Sequence, residues 1–182
     1  MGDSQPRRLE EWLARELGRV LALVALALVQ ATLLHIPLGF SLPLLLVLVV
    51  SRVLVGLATP FPDREVGYAL RWAIYGGLTL DLLATTPLGV HALALLLAIL
   101  VVITTTRRLR IQGILIPILA ILLAALAYEG SVALLSHPAP LEWASYSRFV
   151  ILPALLMALI LMLPVYVTMR WFFEAWYSGR EG

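Results

Sequence analysis

The chain of 182 residues is 62% hydrophobic and only 13% charged, and its mean hydropathy is +0.97. A soluble domain of this length cannot bury so much apolar surface, so the composition indicates an integral membrane protein. All of its basic residues are arginines and it has no cysteine, which excludes a disulfide framework and a thiolate metal site. The arginines are grouped at the ends of apolar stretches and do not form one basic face, which argues against nucleic-acid binding.

Six apolar stretches, each close to the roughly 20 residues that cross a bilayer, predict six transmembrane helices. Their approximate bounds are Val20–Ile36, Gly39–Ala58, Val66–Ala84, Leu88–Thr105, Ile111–Leu135 and Phe149–Met169. Because only short turns join them, we expect an all-α membrane domain of three helical hairpins over residues 20–177. Residues 1–19 are predicted to be a cytoplasmic amphipathic segment or a polar extension of the first span, and residues 178–182 a cytoplasmic tail.

The positions of the arginines predict the orientation of these helices. With both termini in the cytoplasm, the arginines that flank the spans lie on the cytoplasmic side, and only Arg148 falls outside. This is the bias that multi-pass membrane proteins follow. Arg52 and Arg71 lie inside spans, about two turns from the cytoplasmic surface, and we expect their side chains to extend to that surface.

One carboxylate, Asp81, lies inside the otherwise apolar segment Tyr75–Leu93. A charged residue at the centre of a membrane helix is unfavourable by roughly 2.5–3.5 kcal/mol on insertion scales, so it is normally paired, hydrogen-bonded or functional. Counting about 1.5 Å per residue places a candidate polar cluster in the outer half of the membrane. Its members are His35, Asp81, His91 and Glu129.

Two interpretations of this cluster stay open. Carboxylates and imidazoles at one depth suit a proton relay, an ion site or a polar ligand pocket. Alternatively, Asp81 accepts hydrogen bonds from the adjoining turn or from a helix N-terminus, while Glu129 and the histidines reach interfacial water.

Small residues around Asp81 predict how the third and fourth spans pack. Gly76 and Gly77 favour close helix contacts, and Thr86 followed by Pro87 predicts an N-cap with proline at the first position of the fourth helix. We expect one set of residues to shape this hairpin or to bind a partner. The set is Gly76, Gly77, Asp81, Pro87 and Gly89.

The sequence contains none of the common catalytic templates G-x-S-x-G, H-E-x-x-H or the P-loop, so we do not expect an enzyme. His35, His91 and His137 all fall on the outer side, which makes a three-histidine zinc site conceivable, but no helical i,i+4 pair supports it. We predict no catalytic residues, no metal and no cofactor.

The segment Tyr75–Leu93 resembles the rod shape-determining protein MreD family, in which a Gly-Leu-x-x-Asp helix leads through a Pro-Leu-Gly turn to an Ala-Leu helix. The matching positions are Gly77, Leu78, Asp81, Pro87, Leu88, Gly89, Ala92 and Leu93. Size, number of predicted spans and cytoplasmic termini also fit the family, whereas the Thr59–Glu65 loop is more polar than the turn expected there.

The resemblance implies a non-enzymatic scaffold of the bacterial inner membrane that serves cell elongation and peptidoglycan synthesis. Its implied partners are MreC, docked by helix packing, the glycosyltransferase RodA, a class B penicillin-binding transpeptidase, MreB filaments and membrane lipids. The family is also similar in fold to the six-helix substrate-capture subunits of energy-coupling-factor transporters. The alternative is therefore such a subunit, in which Asp81 and Glu129 would line a vitamin- or metal-binding pocket.

Overall fold

The chain forms a bundle of helices in a computed structural model that describes residues 5–33, 43–59, 61–84, 86–108, 115–136 and 142–178, and no strand occurs among them. The helices are α1 (Gln5–Leu33), α2 (Leu44–Leu57), α3 (Pro62–Leu83), α4 (Val90–Arg108), α5 (Leu115–Ser136), α6 (Trp143–Tyr146) and α7 (Leu152–Ser178). A π-helical turn, Ser147–Ile151, joins α6 to α7 without a break.

Within the described ranges, three helical segments are long and apolar enough to cross a membrane. They are Val90–Arg108, Leu115–Ser136 and Trp143–Phe173. The structure therefore agrees with the prediction of an all-α membrane protein at the level of class.

The first helix, α1, is continuous over 29 residues from Gln5 to Leu33. Residues 5–19 and the described part of the first predicted span thus form one helix, and the cytoplasmic amphipathic role of residues 1–19 stays a prediction. Near the other end of α1, the buried side chain of Gln30 accepts a hydrogen bond of 2.9 Å from the N–H of Leu45 in the first turn of α2. A side chain of one helix therefore satisfies a donor at the start of the next.

The interior of the bundle is occupied by α2. Eleven of its fourteen residues are buried, and it contacts α1, α3, α4, α5 and α7. At about 1.5 Å per residue, α2 is about 21 Å long, which is shorter than a hydrocarbon core of roughly 30 Å.

An apolar face of α7 points away from the bundle. Six exposed side chains recur at helical spacing along it, namely Leu152, Leu156, Ile160, Leu163, Val167 and Trp171. The opposite face contacts α2 and α5 and buries Ala154, Ala158 and Met162. A continuous apolar stripe of this length is unfavourable in water and suits a helix that contacts lipid or another membrane helix.

Arg52 of α2 does not extend to the surface, and the prediction that it does is wrong. Only 8% of the residue is exposed, and its guanidinium forms an ion pair with Glu65 of α3, which is equally buried. Its Cζ lies 4.2 Å from the ring centroid of Phe173 and 5.7 Å from that of Trp72. Gly56 makes room, since a Cβ there would lie 2.7 Å from the Cβ of Glu65. The burial is possible because the neighbouring helix supplies the counter-charge.

Candidate functional site

Asp81 near the end of α3 is 4% exposed, and its carboxylate caps the following helix. Its Oδ2 accepts a hydrogen bond of 2.9 Å from the N–H of Gly89, and its Oδ1 accepts one of 2.9 Å from the N–H of His91. Because α4 begins at Val90, these donors belong to a helix start that has no partner for them inside the helix. The positive end of the α4 dipole also stabilises the carboxylate.

The fourth helix begins later than predicted, and the assignment of Thr86 as its N-cap is wrong. The first helical residue is Val90, and the N–H of Val90 donates to the carbonyl of Pro87 over 3.3 Å. The buried Oγ1 of Thr86 has no hydrogen-bond partner among the described residues. Asp81 takes over the capping because a carboxylate accepts two charge-assisted hydrogen bonds where a hydroxyl accepts weaker ones.

The turn that carries Pro87 and Gly89 depends on a left-handed residue. Gly89 has a φ of +97°, a conformation that glycine adopts without the steric penalty of a Cβ. Pro87 is exposed at the start of this turn. The turn brings the N–H of Gly89 back toward α3, where Asp81 accepts its hydrogen bond.

The two consecutive glycines of α3 allow close contact with two different helices. A Cβ on Gly77 would overlap the Cα and N atoms of Ala92 in α4. A Cβ on Gly76 would lie 2.6 Å from the Cδ2 of Leu45 in α2. Gly76 and Gly77 therefore allow α3 to approach α2 and α4 closely, as small residues commonly do between membrane helices. A structural or partner-binding role for the set that also includes Asp81, Pro87 and Gly89 stays a prediction.

Tyr128 of α5 extends this hairpin to a third helix, and sequence reasoning missed it. Its Oη lies 2.9 Å from the Nδ1 of His91, and the two rings stack with centroids 5.9 Å apart. Tyr128 is only 5% exposed. The available signal was a tyrosine inside an apolar span, because a buried phenol hydroxyl normally has a hydrogen-bond partner.

Three of the four residues of the predicted polar cluster lie within the part of the chain that the structure describes. Asp81 and His91 are joined through the main chain of His91, and Glu129, which is 6% exposed, follows Tyr128 directly on α5. Within the described part of the chain, no hydrogen bond connects Glu129 to Asp81 or His91. His35 lies outside the described residues. A functional cluster of all four therefore stays a prediction.

Among the described residues, no group of three or more His, Cys, Asp or Glu side chains is arranged to hold a metal ion. The three-histidine alternative also involves His35 and His137, which both lie outside the described ranges. What the geometry provides is a helical hairpin of α3 and α4 whose second helix is capped by a carboxylate.

No family model matches the chain, and neither curated proteins nor solved structures give a significant match to it.

Proposed function

We propose that the protein is a non-enzymatic membrane scaffold of the MreD type, which supports cell elongation and peptidoglycan synthesis in the bacterial inner membrane. The observation that carries this proposal is the carboxylate of Asp81, whose two oxygens each accept a backbone N–H at the start of α4. The residues that resemble the family motif build the hairpin. A motif of this kind suits a protein that acts by presenting helices to its partners.

The proposed architecture has six spans in three hairpins, with both termini in the cytoplasm, similar to the substrate-capture subunits of energy-coupling-factor transporters. It is supported by helices at all six predicted apolar stretches. It is also supported by the ends of α3 and α4, where Arg107 contacts Asp63 over 3.3 Å. Arginines of both helices thus lie at the same end of the bundle, which the bias toward cytoplasmic positive charge favours as the inner end.

The absence of cysteine from the chain allows the orientation to be tested with single cysteines. Asp63→Cys and Ser145→Cys introduce thiols at exposed positions near opposite ends of the proposed spans. In intact cells whose outer surface is accessible, a membrane-impermeant maleimide should label Ser145→Cys, and it should label Asp63→Cys only after lysis. The reverse pattern would contradict the proposed orientation.

The proposed partner is MreC, docked by helix packing, and through it RodA, the class B penicillin-binding transpeptidase and MreB filaments. The exposed apolar face of α7 is available for such packing, because van der Waals contacts contribute to the association of membrane helices. The test is co-expression of the chain with an MreC protein in a bacterial membrane, followed by size-exclusion chromatography in mild detergent. Co-elution in one peak is expected, and separate elution of two folded proteins would contradict the proposal.

A second candidate, the substrate-capture subunit of a transporter, is favoured by one observation. Glu129 is buried beside the bonded pair of Tyr128 and His91, and buried carboxyl groups inside membranes often bind ions or solutes. A captured solute stabilises the folded state by about 2.7 kcal/mol at 100 times its Kd. Thermal stabilisation by one vitamin or divalent metal, lost in Glu129→Gln but kept in the exposed control Glu142→Gln, would favour capture over the scaffold.

A further inference from the structure

A groove runs between α1, α2 and α3 on the outside of the bundle. Its volume is about 440 Å³. Arg19 lies in it together with five apolar side chains, namely Ala22, Leu23, Leu26, Leu48 and Trp72. The α1 residues of the groove extend from position 18 to position 26, a rise of about 12 Å along the helix. The groove is thus lined mainly by apolar side chains, with one cation near its end.

Three arginines converge on a single ring beside this groove. The guanidinium Cζ atoms of Arg19, Arg64 and Arg71 lie 5.3, 5.9 and 5.9 Å from the ring centroid of Tyr68. Since each lies within 6 Å of one point, no two of them are more than 12 Å apart. Glu16 pairs with Arg19 over 2.8 Å. The three cations therefore share one surface patch, and Arg19 keeps guanidinium donors beyond the one that Glu16 accepts, so the patch favours a bound anion.

The level of these arginines in the membrane indicates which anion they meet. Arg71 is exposed and lies twelve residues before the end of α3 at Leu83, a rise of about 18 Å. Arg19 lies fourteen residues before the end of α1 at Leu33, a rise of about 21 Å. In a hydrocarbon core of roughly 30 Å, both side chains start inside the apolar layer and reach the nearer headgroup region. The anions at that level are lipid phosphates.

We propose that this groove binds one anionic phospholipid from the leaflet on the arginine side. Its phosphate contacts Arg19 and Arg71, and one acyl chain lies along Leu23, Leu26 and Trp72. This site is independent of the proposed scaffold function and depends only on the membrane location of the chain.

The test is native mass spectrometry of delipidated protein, titrated with phosphatidylglycerol or with zwitterionic phosphatidylcholine. The wild type should bind phosphatidylglycerol more tightly. Arg19→Gln and Arg71→Gln should each weaken that binding about fivefold, as expected for basic residues near an anionic lipid surface. The matched control Arg107→Gln removes an exposed arginine of α4 and should leave binding unchanged. Equal affinity for the two lipids would overturn the proposal.

A second variant tests the acyl-chain half of the site without changing its charge. Gly18 lies in the groove, and a Cβ added there meets nothing within 4 Å, so Gly18→Leu fills the groove without a backbone clash. Gly130→Leu on α5 is the matched control, because its Cβ likewise meets nothing within 4 Å. Both variants should keep the melting temperature of the wild type or exceed it, since glycine is a poor helix former.

The expected result is weaker phosphatidylglycerol binding in Gly18→Leu and unchanged binding in Gly130→Leu. Unchanged binding in a folded Gly18→Leu would overturn the groove as the site. A stoichiometric cross-link between a Leu26→Cys variant and a protein helix in native membranes would overturn it as well, because a partner helix would then occupy the groove.

Discussion

Glu65 on α3 forms a buried ion pair with Arg52 on α2, and this pair links the central helix to its neighbour by charge. The ring of Phe173 on α7 covers the guanidinium. The Nη1 atom of Arg52 is buried without a hydrogen-bond partner among the described residues. Three helices therefore meet at one charged group inside an apolar bundle.

Breaking this pair on one side should destabilise the protein more than removing it completely. Glu65→Leu leaves a buried cation without its carboxylate, and losses of about 3–5 kcal/mol are usual for such changes. The double variant Arg52→Leu with Glu65→Leu removes both charges and should recover part of that loss. The measurement is the free energy of unfolding in mixed micelles for the complete double-mutant cycle.

The exposed pair of Asp63 and Arg107 serves as the control for that cycle. Asp63→Leu should change stability little, because solvent screens exposed ion pairs. If Glu65→Leu were as mild as Asp63→Leu, the ion pair would not hold α2 and α3 together, and Arg52 would have another way to solvate its charge.

Substitutions of Asp81 should show a graded effect that follows the number of acceptors left. Asparagine keeps one carbonyl oxygen for one of the two N–H donors and directs its own N–H₂ group at the other, whereas leucine keeps none. With about 1–3 kcal/mol for each donor left unsatisfied, Asp81→Leu should lower the free energy of unfolding about twice as much as Asp81→Asn. Thermal unfolding in detergent measures this order.

The chain offers a control on the same helix. Asp63, whose side chain is 92% exposed, can be replaced by leucine without removing a helix cap. If Asp81→Leu unfolded at the temperature of the wild type, the carboxylate would not cap α4. If Asp81→Asn kept full stability but lost biological activity, the negative charge itself would be functional.

Alanine substitutions of three glycines on α3 should separate close packing from helix propensity. Gly77→Ala forces the backbone of Ala92 to shift, and overpacking of this kind typically costs about 1–3 kcal/mol. Gly76→Ala meets side-chain atoms of Leu45 instead of backbone atoms at its nearest contacts and should be milder. Gly67→Ala meets nothing within 4 Å and should stabilise the helix by up to about 1 kcal/mol.

The melting temperatures of these three variants provide the check. The expected order is Gly77→Ala lowest, then Gly76→Ala, with Gly67→Ala at or above the wild type. A Gly77→Ala protein as stable as Gly67→Ala would contradict the close approach of α3 and α4.

Hydropathy predicts the all-helical membrane class correctly, because it reports directly on apolar stretches of about 20 residues. The count of six spans stays a prediction. The sequence also identified Asp81, because a lone carboxylate in an apolar stretch requires a compensating contact. The hydrogen-bond partners of Asp81 could be identified only from atomic geometry, since hydropathy does not specify which N–H groups lie within reach of a carboxylate.

The contacts that sequence reasoning missed all join different helices. No local sequence pattern predicts the contact of Arg52 with Glu65 or of His91 with Tyr128, because each contact depends on how two helices pack. The start of α4 was predicted too early because Thr86 and Pro87 match a local capping pattern. The carboxylate of Asp81, from the preceding helix, satisfies the donors at Gly89 and His91 instead.

Substitution of Gly89 should isolate the effect of its left-handed backbone. A Cβ there meets nothing within 4 Å, so the expected cause of a loss of stability is the φ of +97°. Gly89→Val should cost about 1–3 kcal/mol, and Gly89→Asn should cost less, because asparagine tolerates positive φ better than a β-branched residue. Chemical denaturation of the two variants tests the difference, and equal stabilities would contradict a left-handed turn.

The scaffold role in cell elongation that we propose for this chain can be tested through its partners. The most direct measurement is mass spectrometry of the proteins that co-purify with the tagged chain from gently solubilised native membranes, quantified against an untagged control. For a scaffold of this kind we expect enrichment of a single-span protein with a large extracytoplasmic domain, together with a wall-synthesis glycosyltransferase and its transpeptidase. Enrichment of cytoplasmic ATPases with a coupling membrane subunit would contradict the account and indicate solute uptake.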